Sequence, residues 1–265
     1  MTKSNDSSAP VVADKLAGKQ AHSVLLLLSG VGGYIDAFSC LALSHVFTAN
    51  MTGNVVLLGI EVVSGDIMSS VRSGIALVAF FIGVIVGWLI LHAGSASLAP
   101  RRRMLAALAL EAVSLVVLAV MLVAVPQLSE GQVELCIALS SVGMGIQSVV
   151  ARLINIQGVT TTYITGMMVT AVESILKGFK TPSAAMAAAS TTNSSKSSPW
   201  KFPMAAAVVY VAGALAGGLL TLHLYRLTGF GALLVVLCVM VITFWGRRSK
   251  RRHVLASQNV QTLSP

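Results

Sequence analysis

Thr48, Asn50, Thr52 and Asn54 occupy every second position of VFTANMTGNVVLLG, residues 46–59, with Gly53 among them. Hydroxyl and carboxamide side chains at that spacing share one face of an extended chain and scatter around a helix. On a shared face they can replace the hydration shell of a small solute, donating and accepting hydrogen bonds without carrying charge. A second phrase, VTTTYITGMMVTAV at 159–172, repeats the pattern with Thr161, Tyr163, Thr165 and Gly166. Asp36 lies ten residues before the first phrase, inside an apolar run and three residues after Gly33. An ionisable group there is a candidate cation or proton site; equally, it can bond the freed amides of a helix that restarts after the glycines. Gln147, in GMGIQ, is a pore or pocket candidate.

Other side chains suggest less chemistry. Glu111, about two turns past Arg103, is expected to reach toward the interface or bond a neighbouring helix rather than carry protons. Glu173 and Lys177 have the spacing of a simple helix pair. Arg152, His92 and His223 fall near helix ends, where anchoring is the usual role. Cys40, Cys136 and Cys238 are far apart within apolar runs and read as small buried hydrophobes. LLLLSGVGGYID resembles a dinucleotide loop only superficially, lacking the third glycine and a following acceptor carboxylate. With no Ser/His/Asp set, paired carboxylates or metal-ligand spacing, an enzyme is not expected, nor a cofactor or metal.

The elements that must position these residues follow from composition. With 55% hydrophobic and 10% charged residues and a mean hydropathy of +0.85, the chain cannot cover a water-soluble surface. Apolar runs fall at roughly 23–45, 74–94, 104–125, 133–154, 204–225 and 228–246. Each is close to the ~20 residues a helix needs to cross the hydrocarbon. The expected fold is therefore an all-α polytopic membrane protein of about six transmembrane helices. The first run is too long for a cleavable signal peptide and holds Asp36. DAFSC, ending at Cys40, lacks the aliphatic residue of a lipoprotein site.

Residues 1–20 read as a disordered cytoplasmic N-terminus, 21–246 as one membrane domain and 247–265 as a basic cytoplasmic tail. Within these, 181–200 is a polar cytoplasmic linker and 254–265 is expected to be disordered. With both termini cytoplasmic, sixteen of the eighteen Lys and Arg residues fall inside, leaving only Arg72 and Arg226 outside. That bias sets the orientation. The net charge of +9 then reflects topology and attraction to anionic lipid, so no nucleic acid is expected as a partner.

Sliding the chain on itself by 113 positions lays Leu26, Gly30, Gly32, Val46, Thr48, Thr52, Gly53 and Val56 on Leu139, Gly143, Gly145, Val159, Thr161, Thr165, Gly166 and Val169. A shift of 130 lays Gly83 and Gly87 on Gly213 and Gly217. The expectation is two three-helix repeats, 23–125 and 133–246, which enter the membrane from opposite sides because each has an odd number of crossings. The four-spaced glycines are packing sites within the monomer or between subunits. Each polar phrase is too short to cross the membrane, and implies a re-entrant or broken segment: non-helical at Thr-Gly, then a half-helix. Two half-helix starts meeting near the midplane would aim N–H groups at one point, a site for an anion or polar solute. The alternative is that these Thr and Asn residues tie the halves together, at about 0.6 kcal/mol per hydrogen bond.

GYIDAFSCLAL (33–43), VFTANMTGNVVLLG (46–59), GMGIQSVVARL (143–153) and VTTTYITG (159–166) together resemble the YoaK-type family of bacterial integral membrane proteins, a domain of unknown function. The resemblance covers nearly the whole chain except the tails. It implies a six-helix protein of the bacterial inner (plasma) membrane and supplies no activity. Ser148 departs from the family's pattern, in which an Asn is expected after the Gln, and the 181–200 linker is longer than usual. The expected function is transport or channel-like passage of a small polar or ionic solute. The alternative is a non-transporting scaffold or assembly protein, with the glycine pairs as a partner or homo-oligomer face. In either case the lipid bilayer is the surrounding partner.

Overall fold

The structure is a computed structural model. It is described for residues 18–92, 100–125, 127–154, 168, 169, 172, 176 and 201–261, with side chains for those between 20 and 245. The helices that position the site are α1 (Gly18–Ala42), α2 (Met51–Ser64), α3 (Ile67–His92), α4 (Pro100–Ala124), α5 (Glu130–Ile154), α6 (Lys201–His223) and α7 (Thr228–Gln261). A 3-10 turn, Tyr225–Leu227, precedes α7, and no strand occurs among the described residues. Six segments of 21 to 26 residues are long and apolar enough to cross a membrane: Gln20–Ala42, Ile67–His92, Pro100–Ala124, Glu130–Ile154, Lys201–His223 and Tyr225–Trp245. α2, with 14 residues, is not.

Three boundaries differ from the sequence expectation. α1 begins at Gly18, so the disorder expected over 1–20 is corrected for 18–20. α3 begins at Ile67 rather than near 74, because Asp66 ends the α2–α3 turn and accepts hydrogen bonds from the Ser69 amide (3.1 Å) and hydroxyl (2.8 Å). These bonds hold the exposed Asp66 carboxyl below the usual carboxylate range. Gly65, at φ 76°, closes α2 in a left-handed conformation that glycine adopts without strain. At the other end of the chain, disorder from 254 onward is corrected for 254–261, since α7 runs unbroken to Gln261. RRSKRRHVLASQNVQ contains no Gly or Pro, and a span already helical removes the cost of nucleation.

The tightest contacts form two parallel helix pairs. In the α1–α6 pair, a methyl on Gly213 would lie 2.1 Å from the Gly30 carbonyl oxygen, and one on Gly217 2.3 Å from that of Tyr34. In the α3–α5 pair, a methyl on Gly83 would lie 2.2 Å from the Val142 carbonyl oxygen, and one on Gly87 3.2 Å from Ile146 Cα. Gly33 meets the Tyr210 carbonyl as Gly145 meets that of Phe80. The partners on α5 each lie 112 residues beyond those on α1 (142−30, 146−34, 145−33), and those on α6 lie 130 beyond those on α3 (213−83, 217−87, 210−80). The packing thus repeats with the register of the glycine pairs. The α1–α5 offset of 112 differs by one residue from the 113 of the sequence match.

Numbers rise together within each pair, so the paired helices are parallel. The pairs themselves run in opposite senses: Leu25 of α1 clusters with Ala151 of α5, whereas Ile35 and Phe38 cluster with Ile137 and Met144. Side chains such as Phe81, Ile85 and Trp88 of α3, Leu215 and Leu219 of α6 and Phe244 of α7 are exposed on the outer surface. An apolar exterior is what lipid requires of a spanning helix. The polar side chains Asp36, Thr48, Asn54, Glu111, Ser140, Ser141 and Gln147 are buried instead.

Candidate functional site

The site forms where α1 gives way to α2. α1 stops at Ala42, and Ser44 and His45 both take φ 62°, a left-handed conformation that costs non-glycine residues about 1–2 kcal/mol each. The His45 amide donates to the Cys40 carbonyl (3.1 Å), closing the helix end and turning the chain back into the protein. Val46, Thr48 and Ala49 are then buried. A buried irregular segment must find partners for its backbone polar groups, and at membrane depth the requirement is strict.

Asp36 supplies most of them. Its Oδ1 accepts from the amides of Thr48 (3.0 Å), Ala49 (2.7 Å) and Asn50 (3.2 Å), while Oδ2 accepts from the Tyr210 hydroxyl of α6 (2.5 Å). Asn54 reaches back from α2: its Oδ1 accepts from the Phe47 amide (2.9 Å) and its Nδ2 donates to the Phe47 carbonyl. Asn50 is the N-cap, its side chain accepting from the Gly53 amide (3.4 Å). Gly53 leaves room for the Phe47 ring, which would stand 2.8 Å from a methyl there.

The structure therefore brings together Asp36, Thr48, Asn50, Gly53 and Asn54. Thr52 is exposed and Gln147 is elsewhere, donating from Nε2 to the Leu28 carbonyl (2.9 Å), eight residues before Asp36 on α1. Thr161, Tyr163, Thr165 and Gly166 lie outside the described residues, as do Glu173, Lys177 and the linker 181–200. The four packing glycines Gly83, Gly87, Gly213 and Gly217 are all used in contacts within the chain.

Three readings are corrected. Thr52 and Gly53 are not in the non-helical stretch, because α2 already begins at Met51 and the irregular segment is 43–50; no single extended face presents all four polar side chains. Asp36 does not cap a helix restarting after Gly32 and Gly33, since α1 is continuous; it anchors the lead-in to α2. Glu111 does not reach the interface or bond a neighbouring helix: it is fully buried, and neither carboxyl oxygen has a hydrogen-bond partner.

Electrostatics narrow what the site can hold. The positive end of the α2 dipole attracts an anion, but the Asp36 carboxylate already fills that role. A second anion would meet like charge at short range, so a neutral polar group or a cation suits the place better. α2 folds back along α3 through the Gly65 turn, and its 14 residues reach about half of the 26 of α3. The α2 N-terminus thus lies about halfway along α3. Beside it the Thr48 hydroxyl, with no exposed surface, has no hydrogen-bond partner. Tyr210 was missed from sequence because nothing local in α6 marks it, 174 residues from its partner.

Six spanning helices around a polar interior define a multi-pass integral membrane protein. The chain belongs to the family described as "Protein of unknown function (DUF1275)", whose model matches residues 24–245. It is similar to the UPF0700 transmembrane protein YoaK of Bacillus subtilis (strain 168), 36% identical over 162 residues that cover 60% of this chain and 69% of the relative. No solved structure matches.

Proposed function

We propose that this membrane protein provides a passage across the bacterial inner membrane for a small neutral polar solute or cation, and is not an enzyme. In this reading both termini are cytoplasmic and the two parallel helix pairs belong to inverted repeats, the arrangement found in many transporters. The observation that carries it is the unpartnered Thr48 hydroxyl, fully buried beside the N-terminus of the short helix α2. A buried hydroxyl without a partner costs about 1–3 kcal/mol, and a passing solute that hydrogen-bonds it would relieve that cost. The scaffold alternative is weakened, because the glycine pairs it needs as a partner face are spent on contacts inside the chain.

Flux into vesicles reconstituted with the full chain, across a panel of cations and neutral polar metabolites, tests the proposal. Thr48→Val removes the hydroxyl at almost constant volume and breaks no hydrogen bond. Flux of the accepted solute is expected to fall at least about tenfold while thermal stability holds or rises. Unchanged flux in Thr48→Val, or no flux of any solute above that of empty vesicles, would overturn the reading.

A further inference from the structure

The polar phrase leaves one buried ionisable group unused. Glu111 sits near the middle of α4, fully buried, with both carboxyl oxygens unpartnered. Its Cγ packs 3.6 Å from where a methyl on Gly143 of α5 would stand, so the carboxyl leaves α4 against that glycine. Ser140 and Gln147 lie three residues before and four after Gly143, on the same face of α5. Met104 and Leu108 cluster with Ile146 and Val150, while Leu118 and Leu122 cluster with Cys136 and Ile137, so α4 and α5 are antiparallel. A glutamate leans toward the N-terminus of its own helix. Here that direction is toward Gln147.

The Gln147 amide is oriented by its bond to the Leu28 carbonyl, which leaves Oε1, an acceptor, buried without a donor. Carboxylate oxygens are also acceptors. The Glu111 carboxylate and Gln147 Oε1 are acceptors only, and the O–H of a neutral carboxylic acid supplies the donor they lack. An ionised carboxylate in hydrocarbon with no counter-charge is strongly disfavoured.

We propose that Glu111, packed against Gly143 and leaning toward the Gln147 amide oxygen, is an intramembrane proton-binding site in the α4–α5 interface. The proton binds as one O–H bond to the carboxyl and leaves as the same group ionises, with nothing oxidised or reduced. Other charged and titratable groups lie on the packed elements. Among residues whose side chains are described, they are Arg101, Arg102 and Arg103 at the start of α4, Glu130, Glu134, Cys136 and Arg152 on α5, Arg72 and His92 on α3, Tyr225 and Arg226 in the 3-10 turn, and Cys238 on α7. None of them forms an ion pair or hydrogen bond with the Glu111 carboxyl. The use of the proton, driving solute movement, rests on the transport reading; its binding does not.

Infrared spectroscopy of the full chain in lipid vesicles tests the inference. The carbonyl stretch of a protonated carboxylic acid is expected at low pH, to fade on alkaline titration, to be missing from Glu111→Gln and to survive in Asp36→Asn. Gln147→Leu, which removes the acceptor, should move both the band and its titration midpoint, the latter by about one pH unit or more. The inference is overturned if Glu111→Gln keeps the band, if the band never titrates while the protein stays folded, or if sodium ions displace it at fixed pH. Should Glu111→Gln fail to fold, an unmoved band in Gln147→Leu overturns it equally. Absent flux with this band present would sink the transport reading alone.

Discussion

At the scale of the residue, the controlling feature is one carboxylate that holds two distant parts of the chain. Asp36 gathers three consecutive amides with one oxygen and the Tyr210 hydroxyl with the other. Tyr210→Phe keeps the ring and removes one hydrogen bond to a charged group, a loss of about 1.5–3 kcal/mol. Thermal unfolding in detergent should show that loss; a variant as stable as the parent would mean that the bond contributes nothing. The sequence marked Asp36 as unusual through its apolar surroundings, and left open whether it bound a ligand or backbone amides. The fold decided for amides. From sequence, Glu111 was expected at the interface or bonded to a neighbouring helix, because Arg103 is near along the chain. What matters is the environment its side chain enters, and that is set by α5.

At the scale of the element, glycines differ by what faces them. A methyl on Gly213 would stand 2.1 Å from the Gly30 carbonyl oxygen, whereas one on Gly59, in α2, would meet nothing within 4 Å. Gly213→Ala must push α6 from α1 and is expected to cost at least about 1–3 kcal/mol. Gly59→Ala should stabilise by about 0.5–1 kcal/mol, because alanine loses less freedom than glycine in a helix. Opposite signs in a thermal shift assay are the expected result, and equal effects would refute the close approach. The same glycines were legible as packing sites from their four-residue spacing. Their partners were not, since spacing says nothing about which helix comes near.

At the scale of the whole molecule, the proposed orientation rests on sixteen of eighteen basic residues falling on one side when six helices cross. In a background with Cys40, Cys136 and Cys238 replaced, Ser64→Cys at the exposed end of α2 should react with a membrane-impermeant thiol reagent in intact cells. Ser257→Cys should react only after permeabilisation. The reverse pattern would invert the proposed topology.

Hydropathy and charge are local, additive quantities, and in a bilayer they suffice for class, number of spans and expected sidedness. The amino-acid sequence by itself therefore determined a six-span membrane protein with a broken segment after α1 and small-residue helix faces. Tertiary structure decided what depends on approach across long chain separations. It paired α1 with α6 and α3 with α5, ended α1 eight residues before α2, and bound Asp36 to Tyr210. It also left the Thr48 hydroxyl and the Glu111 carboxyl without partners. Those outcomes turn on backbone contact and hydrogen-bond geometry between helices, and in lipid, where apolar side chains gain little by leaving their surroundings, such contacts are the main forces that select one arrangement.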